Sequence, residues 1–321
     1  MNERSHWDPR SPARAEGANR IRRRWHPDAM GVLASVLALA ALLVFTYPRA
    51  ASWFSDYYQS QVVVSYGEAV ASVTPSADEQ RAEARAYNEA LSSGAVLERN
   101  ASVPVGDGRG VGPEFDYGSM LNADGAGLMA RVRIPAIDLD LPVYHGTDEA
   151  TLLSGLGHLQ GTSLPVGGPS TRTVITGHRG LASATMFTRL DEVGVGDLFV
   201  IEVFDEALTY RVVDTAVIEP EETESLRAQA GRDLATLVTC TPLGINSHRI
   251  LVTGERVLPT PVAQAARLGE RPEGPGFPWW GVILVIGLCG IGAYLYRSGR
   301  TPREQCEKAR GRAEEEWSNS V

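Results

Sequence analysis

Two charge-free apolar runs bracket the middle of this chain and confine where it can build a soluble fold. Residues 30–47 (MGVLASVLALAALLVFTY) and 279–296 (WWGVILVIGLCGIGAYLY) contain no Asp, Glu, Lys or Arg. Each is about the length that crosses a hydrocarbon layer of roughly 30 Å as a helix. Neither has a polar face with which to sit half-exposed on a soluble core. Trp279, Trp280, Tyr294 and Tyr296 stand at the ends of the second run, where amphipathic rings favour the membrane interface. The first run follows an Arg-bearing leader and is longer than a usual signal core. Ala50-Ala51-Ser52 is only loosely a cleavage site, so an uncleaved anchor is expected.

Charge sets the orientation. Arg20, Arg22, Arg23 and Arg24 precede the first run, and Arg297, Arg300, Arg303, Lys308, Arg310 and Arg312 follow the second. Positive flanks stay in the cytoplasm. The expectation is a two-pass protein of the cell membrane with both termini inside and residues 48–278 outside. That outer part carries 17 Lys and Arg against 30 Asp and Glu, a balance of −13, which argues against nucleic acid as a partner.

Cysteine placement sharpens the reading. Of three cysteines, Cys289 falls in the second apolar run and Cys306 in the tail, which leaves Cys240 alone in the outer part. An exported cysteine without a partner is intermolecular, inert in a core, or a reactive thiol.

The chain divides into a leader (1–29), a membrane helix (30–47), a helical segment (48–99), a Gly- and Pro-rich loop (100–118), a strand-rich region (119–257), a Pro/Gly-rich spacer (258–278), a second membrane helix (279–296) and a tail (297–321). Ser76 with Glu79 has the spacing of a capping box, and Gly94 is a plausible stop for the helix it opens. From Leu128 on, MARVRI, TRTVIT, LFVIEV, LTYRVVDTAVI, DLATLVT and RILVTGERV read as short β-branched strands. Turn residues separate most of them, and this density of strands predicts a closed or nearly closed barrel. Helical material is expected only in connections such as residues 185–190 and 223–229.

Cys240 ends the apolar strand ATLVTC, and Pro242 and Gly244 break the structure beyond it. A nucleophile at a strand end is rigid yet reachable. A thiol needs help to ionise at neutral pH. His178 ends a second apolar strand between Gly177 and Gly180, and Arg249 returns after eight intervening residues to the end where Cys240 sits. A thiol, an imidazole and a guanidinium together suit acyl transfer: attack on a carbonyl, protonation of the leaving amine, and charge stabilisation of the oxyanion. His248 competes as a base, and His145 and His158, flanked by glycines, read as turn residues. Nothing has zinc-ligand spacing and no phosphate loop follows a strand, so no metal or cofactor is expected.

Three stretches, IPAIDLDLPVYHGTDEATLLSGLGHLQGTSLPVGG, TRTVITGHRGLASATMFTRLDEVGVGD and TLVTCTPLGINSHRILVTG, resemble the sortases over about residues 117–257. The likeness is greatest to the class C, pilus-assembling kind, which two flanking membrane runs also fit. The resemblance implies an all-β-dominated fold, a closed eight-stranded sortase barrel with short helices. It implies His178, Cys240 and Arg249 as catalytic residues and leaves His145, His158 and His248 structural. It implies a two-step transpeptidation of surface proteins that carry a Leu-Pro-x-Thr-Gly-like (LPXTG-like) sorting signal: cleavage at Thr–Gly, then release by an amine. In class C that amine is a pilin lysine. The alternatives are an amine of a cell-wall precursor or, against the intact Cys, His and Arg, a non-catalytic binding protein on the same barrel. Class C members usually carry a lid anchored by an Asp-Pro-aromatic motif. No Asp-Pro stands in residues 101–118, where Asp107, Phe115, Asp116 and Tyr117 are the plug-like residues and a plain connection is the other reading.

Overall fold

The computed structural model describes residues 25, 27–91, 95–97, 104–106 and 115–299. Most of the expected leader, tail and lid loop, including Asp107 and Cys306, lies outside the described residues. Contact density separates two units, residues 44–283 and the two outer segments 1–43 and 284–321.

The outer segments contribute the first part of helix α1 (Ala29–Ala71) and most of helix α5 (Trp279–Ser298). Both helices are long and apolar enough to cross a membrane. Helix α1 runs on through Pro48, so the expected boundary between membrane run and outer helix is not a break.

In the larger unit, α1 presents Gln59, Val63, Tyr66 and Val70 as a buried stripe at three- and four-residue spacing. The Tyr66 hydroxyl donates to Met129 O at 3.1 Å and accepts from Phe204 N at 2.9 Å, which pins the helix to the barrel. Helix α2 (Ala77–Ala90) opens with the expected capping box: Glu79 N donates to Ser76 Oγ at 3.4 Å and Ser76 N to Glu79 Oε2 at 2.9 Å. It ends at Leu91, whose backbone turns extended, and not at Gly94. Gln80, Ala84 and Tyr87 are its buried face.

At the end of the segment read as helical, β1 (Ala95–Leu97) pairs as an antiparallel ribbon with β2 (Pro104–Gly106), which lies in the segment read as loop. A closed barrel follows, built from β3 (Leu128–Ile134), β4 (Leu139–His145), β5 (Leu156–His158), β6 (Thr171–Thr176), β7 (Leu198–Val203), β8 (Glu206–Ile218), β9 (Asp233–Thr241) and β10 (His248–Arg256). Around the barrel the order is β10-β8-β7-β3-β4-β5-β6-β9. The eight-stranded closure is as expected, but β4 and β5 are strands that composition did not mark. Pro142 in β4 sits just before the three residues that β5 pairs, where a missing N–H is tolerated. A short helix α3 (Glu149–Ser154), capped by Asp148, links β4 to β5. Residues 186–189 form turns and not helix, and in these two connections 3-10 turns cover Leu190–Glu192 and Thr223–Leu226. His145 and His158 close strands and are not turn residues.

Residues 258–278 are also more than a spacer. They hold the one-turn helix α4 (Val262–Ala265) and lie against the barrel wall. Glu270 O accepts from Arg131 Nη1 at 2.7 Å, and Gly276 O accepts from Trp53 Nε1 at 2.7 Å. Beneath this segment Arg131 and Arg133 share Glu202, and Arg131 also grips Asp140 through two bonds. Four charges are thus paired before they leave water.

Candidate active site

Two strand pairings assemble the site. In the β9–β10 ladder Cys240 and Arg249 are direct partners, and directly opposed residues project from the same face of a sheet. Thr241 and His248 also pair, so the connecting loop shrinks to residues 242–247. In the parallel β6–β9 ladder Thr176 partners Val238. Two residues further along each chain are His178 and Cys240. Parallel pairing between strands far apart in sequence thus sets the backbone at His178 beside the backbone at Cys240.

All three side chains are withdrawn from water: Cys240 is 5% exposed, His178 7% and Arg249 0%. Burial pushes the Cys240 thiol above its ordinary range, and the Arg249 charge pulls it part of the way back. Arg249 is held by its own loop, with Nη1 donating to Asn246 O at 2.9 Å and His248 O at 3.0 Å. His178 Nε2 makes no hydrogen bond and has Glu149 Oε1 at 3.5 Å. Glu149 opens α3 and its side chain is 63% exposed.

The loops are shaped to keep this geometry. A Cβ on Gly177 would lie 2.6 Å from Leu156 Cδ2 and 2.9 Å from Phe187 Cδ2, so no side chain fits there. Gly180 has φ +76°, and a Cβ there would meet Leu243 Cδ2 of the loop after Cys240. The segment after His178 closes on itself as Phe187 N donates to His178 O at 3.0 Å.

The other histidines are occupied elsewhere. His145 contacts Gly127 O at 2.9 Å and Met120 O at 2.7 Å. His158 has Ser163 O at 2.9 Å from Nε2, which makes that nitrogen the donor and leaves Nδ1 to accept from the Tyr117 hydroxyl at 2.9 Å. Burial depresses the His158 pKa to about 4. His248 pairs with the Ser247 hydroxyl at 2.8 Å.

Of the plug-like residues, Phe115 meets the Tyr87 ring edge-on and the Asp116 carboxylate accepts from Gly118 N. Tyr117 packs between His145 and His158 and accepts from Gly146 N at 3.0 Å. Of these three, Tyr117 ties the barrel's lead-in to its wall; most of the rest of the expected lid loop lies outside the described residues. Among the described residues no group of His, Cys, Asp or Glu is arranged to hold a metal ion.

The spacing of motifs did not single out Glu149, Arg179, Thr239 or Thr241. Arg179 was visible only as the residue after His178. Its partner Thr241 becomes a neighbour only when β6 and β9 pair.

The closed eight-stranded barrel thus carries Cys240 and Arg249 as a direct pair, with His178 two residues beyond the β6–β9 ladder. Residues 132–257 match the sortase domain model. Sortase C-1 of Actinomyces oris is 48% identical, with a TM-score of 0.50 over 57% of this chain and 99% of that one. Sortase C of Streptococcus pneumoniae is 38% identical, with a TM-score of 0.55 over 63% of this chain and all of that one. Sortase D of Bacillus subtilis (strain 168) is 30% identical over 129 residues, 39% of this chain and 62% of that protein's length. The chain belongs to the sortase family.

Proposed function

We propose that the protein is a class C sortase that joins surface or pilin proteins through an acyl-enzyme on Cys240. The observation that carries this reading is the direct pairing of Cys240 with Arg249, with His178 brought alongside by the β6–β9 register. The similarity to Streptococcus pneumoniae Sortase C, a protein described with pilin substrate specificity, supports the polymerising branch.

In the first half-reaction the Cys240 thiolate attacks the carbonyl carbon of Thr in an LPXTG-like sorting signal. The Arg249 guanidinium faces the oxyanion that forms. Protonated His178 gives its proton to the departing Gly amine as the Thr–Gly bond breaks, which leaves a thioester. In the second, neutral His178 takes a proton from the incoming amine as that nitrogen attacks the thioester, and the thiolate leaves. A pilin lysine as acceptor yields an isopeptide bond. Residues 48–278 act outside the cell, held by the two apolar helices.

The test is to incubate the detergent-solubilised full chain with a sorting-signal peptide and a lysine-bearing pilin acceptor. An isopeptide-linked product is expected, and it should vanish in Cys240→Ala. A linked product that forms only when a wall-precursor amine replaces the pilin acceptor points to anchoring in place of polymerisation. Turnover by Cys240→Ala would contradict the mechanism.

A further inference from the structure

The residues on either side of His178 are bonded to the residues on either side of Cys240. On one side Thr239 Oγ1 donates to Gly177 O at 2.7 Å. On the other Arg179 Nη1 donates to Thr241 Oγ1 at 2.9 Å. Arg179 is 11% exposed and its other two nitrogens are also committed. Nη2 meets Asp191 Oδ2 at 2.7 Å, and Nε donates to Thr188 O at 3.3 Å. Thr188 in turn takes Gly180 N on its hydroxyl at 3.1 Å.

We propose that Arg179 is a positioning residue for the transpeptidation: with Thr241, and opposite the Thr239–Gly177 bond, it forms the second arm of a bracket that sets the spacing of His178 and Cys240. The inference rests on the catalytic reading above. The β6–β9 ladder ends at Thr176–Val238. Beyond it the described backbone adds one bond, Gly177 N to Val238 O at 3.1 Å, which stops short of His178 and Cys240, and the imidazole needs a precise placement relative to the thiol to move a proton. Strand alternation turns Thr239 and Thr241 to the face opposite Cys240, so the bracket works from behind and leaves the reacting face open. A planar fork with donors aimed at three separate acceptors suits this task, and a lysine ammonium on a flexible stem does not. Asp191 fixes the fork from the far side, so its loss weakens aim without cutting the bracket.

The test compares full-length wild type, Arg179→Ala, Arg179→Lys, Thr241→Val and the Arg179→Ala/Thr241→Val double variant in detergent. Each is assayed for cleavage of a sorting-signal peptide, with kcat and KM separated, and for its thermal midpoint. Arg179→Ala should lower kcat by about ten- to a hundredfold, the effect of an ångström-scale misplacement, with KM within about twofold of wild type. Arg179→Lys should not restore it. Thr241→Val should fall in the same direction, and the double variant should be no worse than Arg179→Ala, because both cut one bond. A kcat for Arg179→Ala within about twofold of wild type, or a loss confined to KM, overturns the proposal. Should Arg179→Ala fail to fold, Thr241→Val decides: unchanged kcat at an unchanged midpoint overturns the bracket. An inactive wild type, in contrast, overturns the catalytic reading itself.

Discussion

At Cys240 two opposing effects set the reactivity of the thiol. Burial favours the neutral form and Arg249 favours the thiolate, and burial is the larger. Removing the guanidinium in Arg249→Met should therefore raise the thiol further and leave less thiolate at any pH near neutrality. Iodoacetamide labelling of Cys240 at pH 7.5 should slow roughly tenfold or more, since a neighbouring opposite charge moves a pKa by about one unit or more. Equal labelling rates would mean that Arg249 does not act on the sulfur. His158 makes a second residue-scale prediction, this time about stability. Its folded pKa is about 4 against an ordinary value of 6.5, so the unfolded chain binds the proton first as pH falls. Stability is whole above pH 6.5 and is lost as pH drops toward 4, by roughly 3 kcal/mol. The thermal midpoint should fall through this window and fall less in His158→Asn. The three candidate catalytic residues were legible because each is a chemically able side chain at the end of an apolar strand. The engagement of the Tyr117 hydroxyl by His158 and Gly146 was not legible, because its partners lie 41 and 29 residues away.

At the scale of elements, the strands that alternate cleanly and carry β-branched residues were legible, and those that do not were missed. β4 reads LDLPVYH, with two strand-averse residues, Asp140 and Pro142, and β5 is three residues long. Tertiary pairing, and not local preference, makes them strands. The capping box of α2 was legible because it is a contact within four residues. The attachment of α1 was not, because it depends on one hydroxyl reaching β3 and the residue after β7. Tyr66→Phe removes that hydroxyl and orphans a buried N–H and a buried carbonyl. It should cost about 1–3 kcal/mol, seen as an earlier unfolding midpoint in detergent with peptide cleavage retained below that midpoint. No change in midpoint would mean that α1 is held by its apolar stripe alone.

At the scale of the whole molecule, two charge-free apolar runs and their basic flanks predict an outer catalytic body with both termini inside. A phosphatase reporter that works only outside the cell should be active when fused after residue 278 and silent when fused after residue 321. The reverse pattern would contradict the topology. The composition that marked residues 258–278 as a spacer did not reveal that Glu270 and Gly276 bind the barrel and α1 through their carbonyls. Backbone acceptors leave no trace in composition. Parallel pairing of β6 with β9, the event that joins His178 to Cys240, is likewise a property of the closed barrel.

The most direct measurement is peptide-mapping mass spectrometry of the full chain after brief incubation with a sorting-signal peptide. The account predicts one thioester adduct, carrying the peptide through its Thr, on the fragment that contains Cys240, with no adduct in Cys240→Ala. An adduct on any other residue, or one that persists in Cys240→Ala, would contradict it.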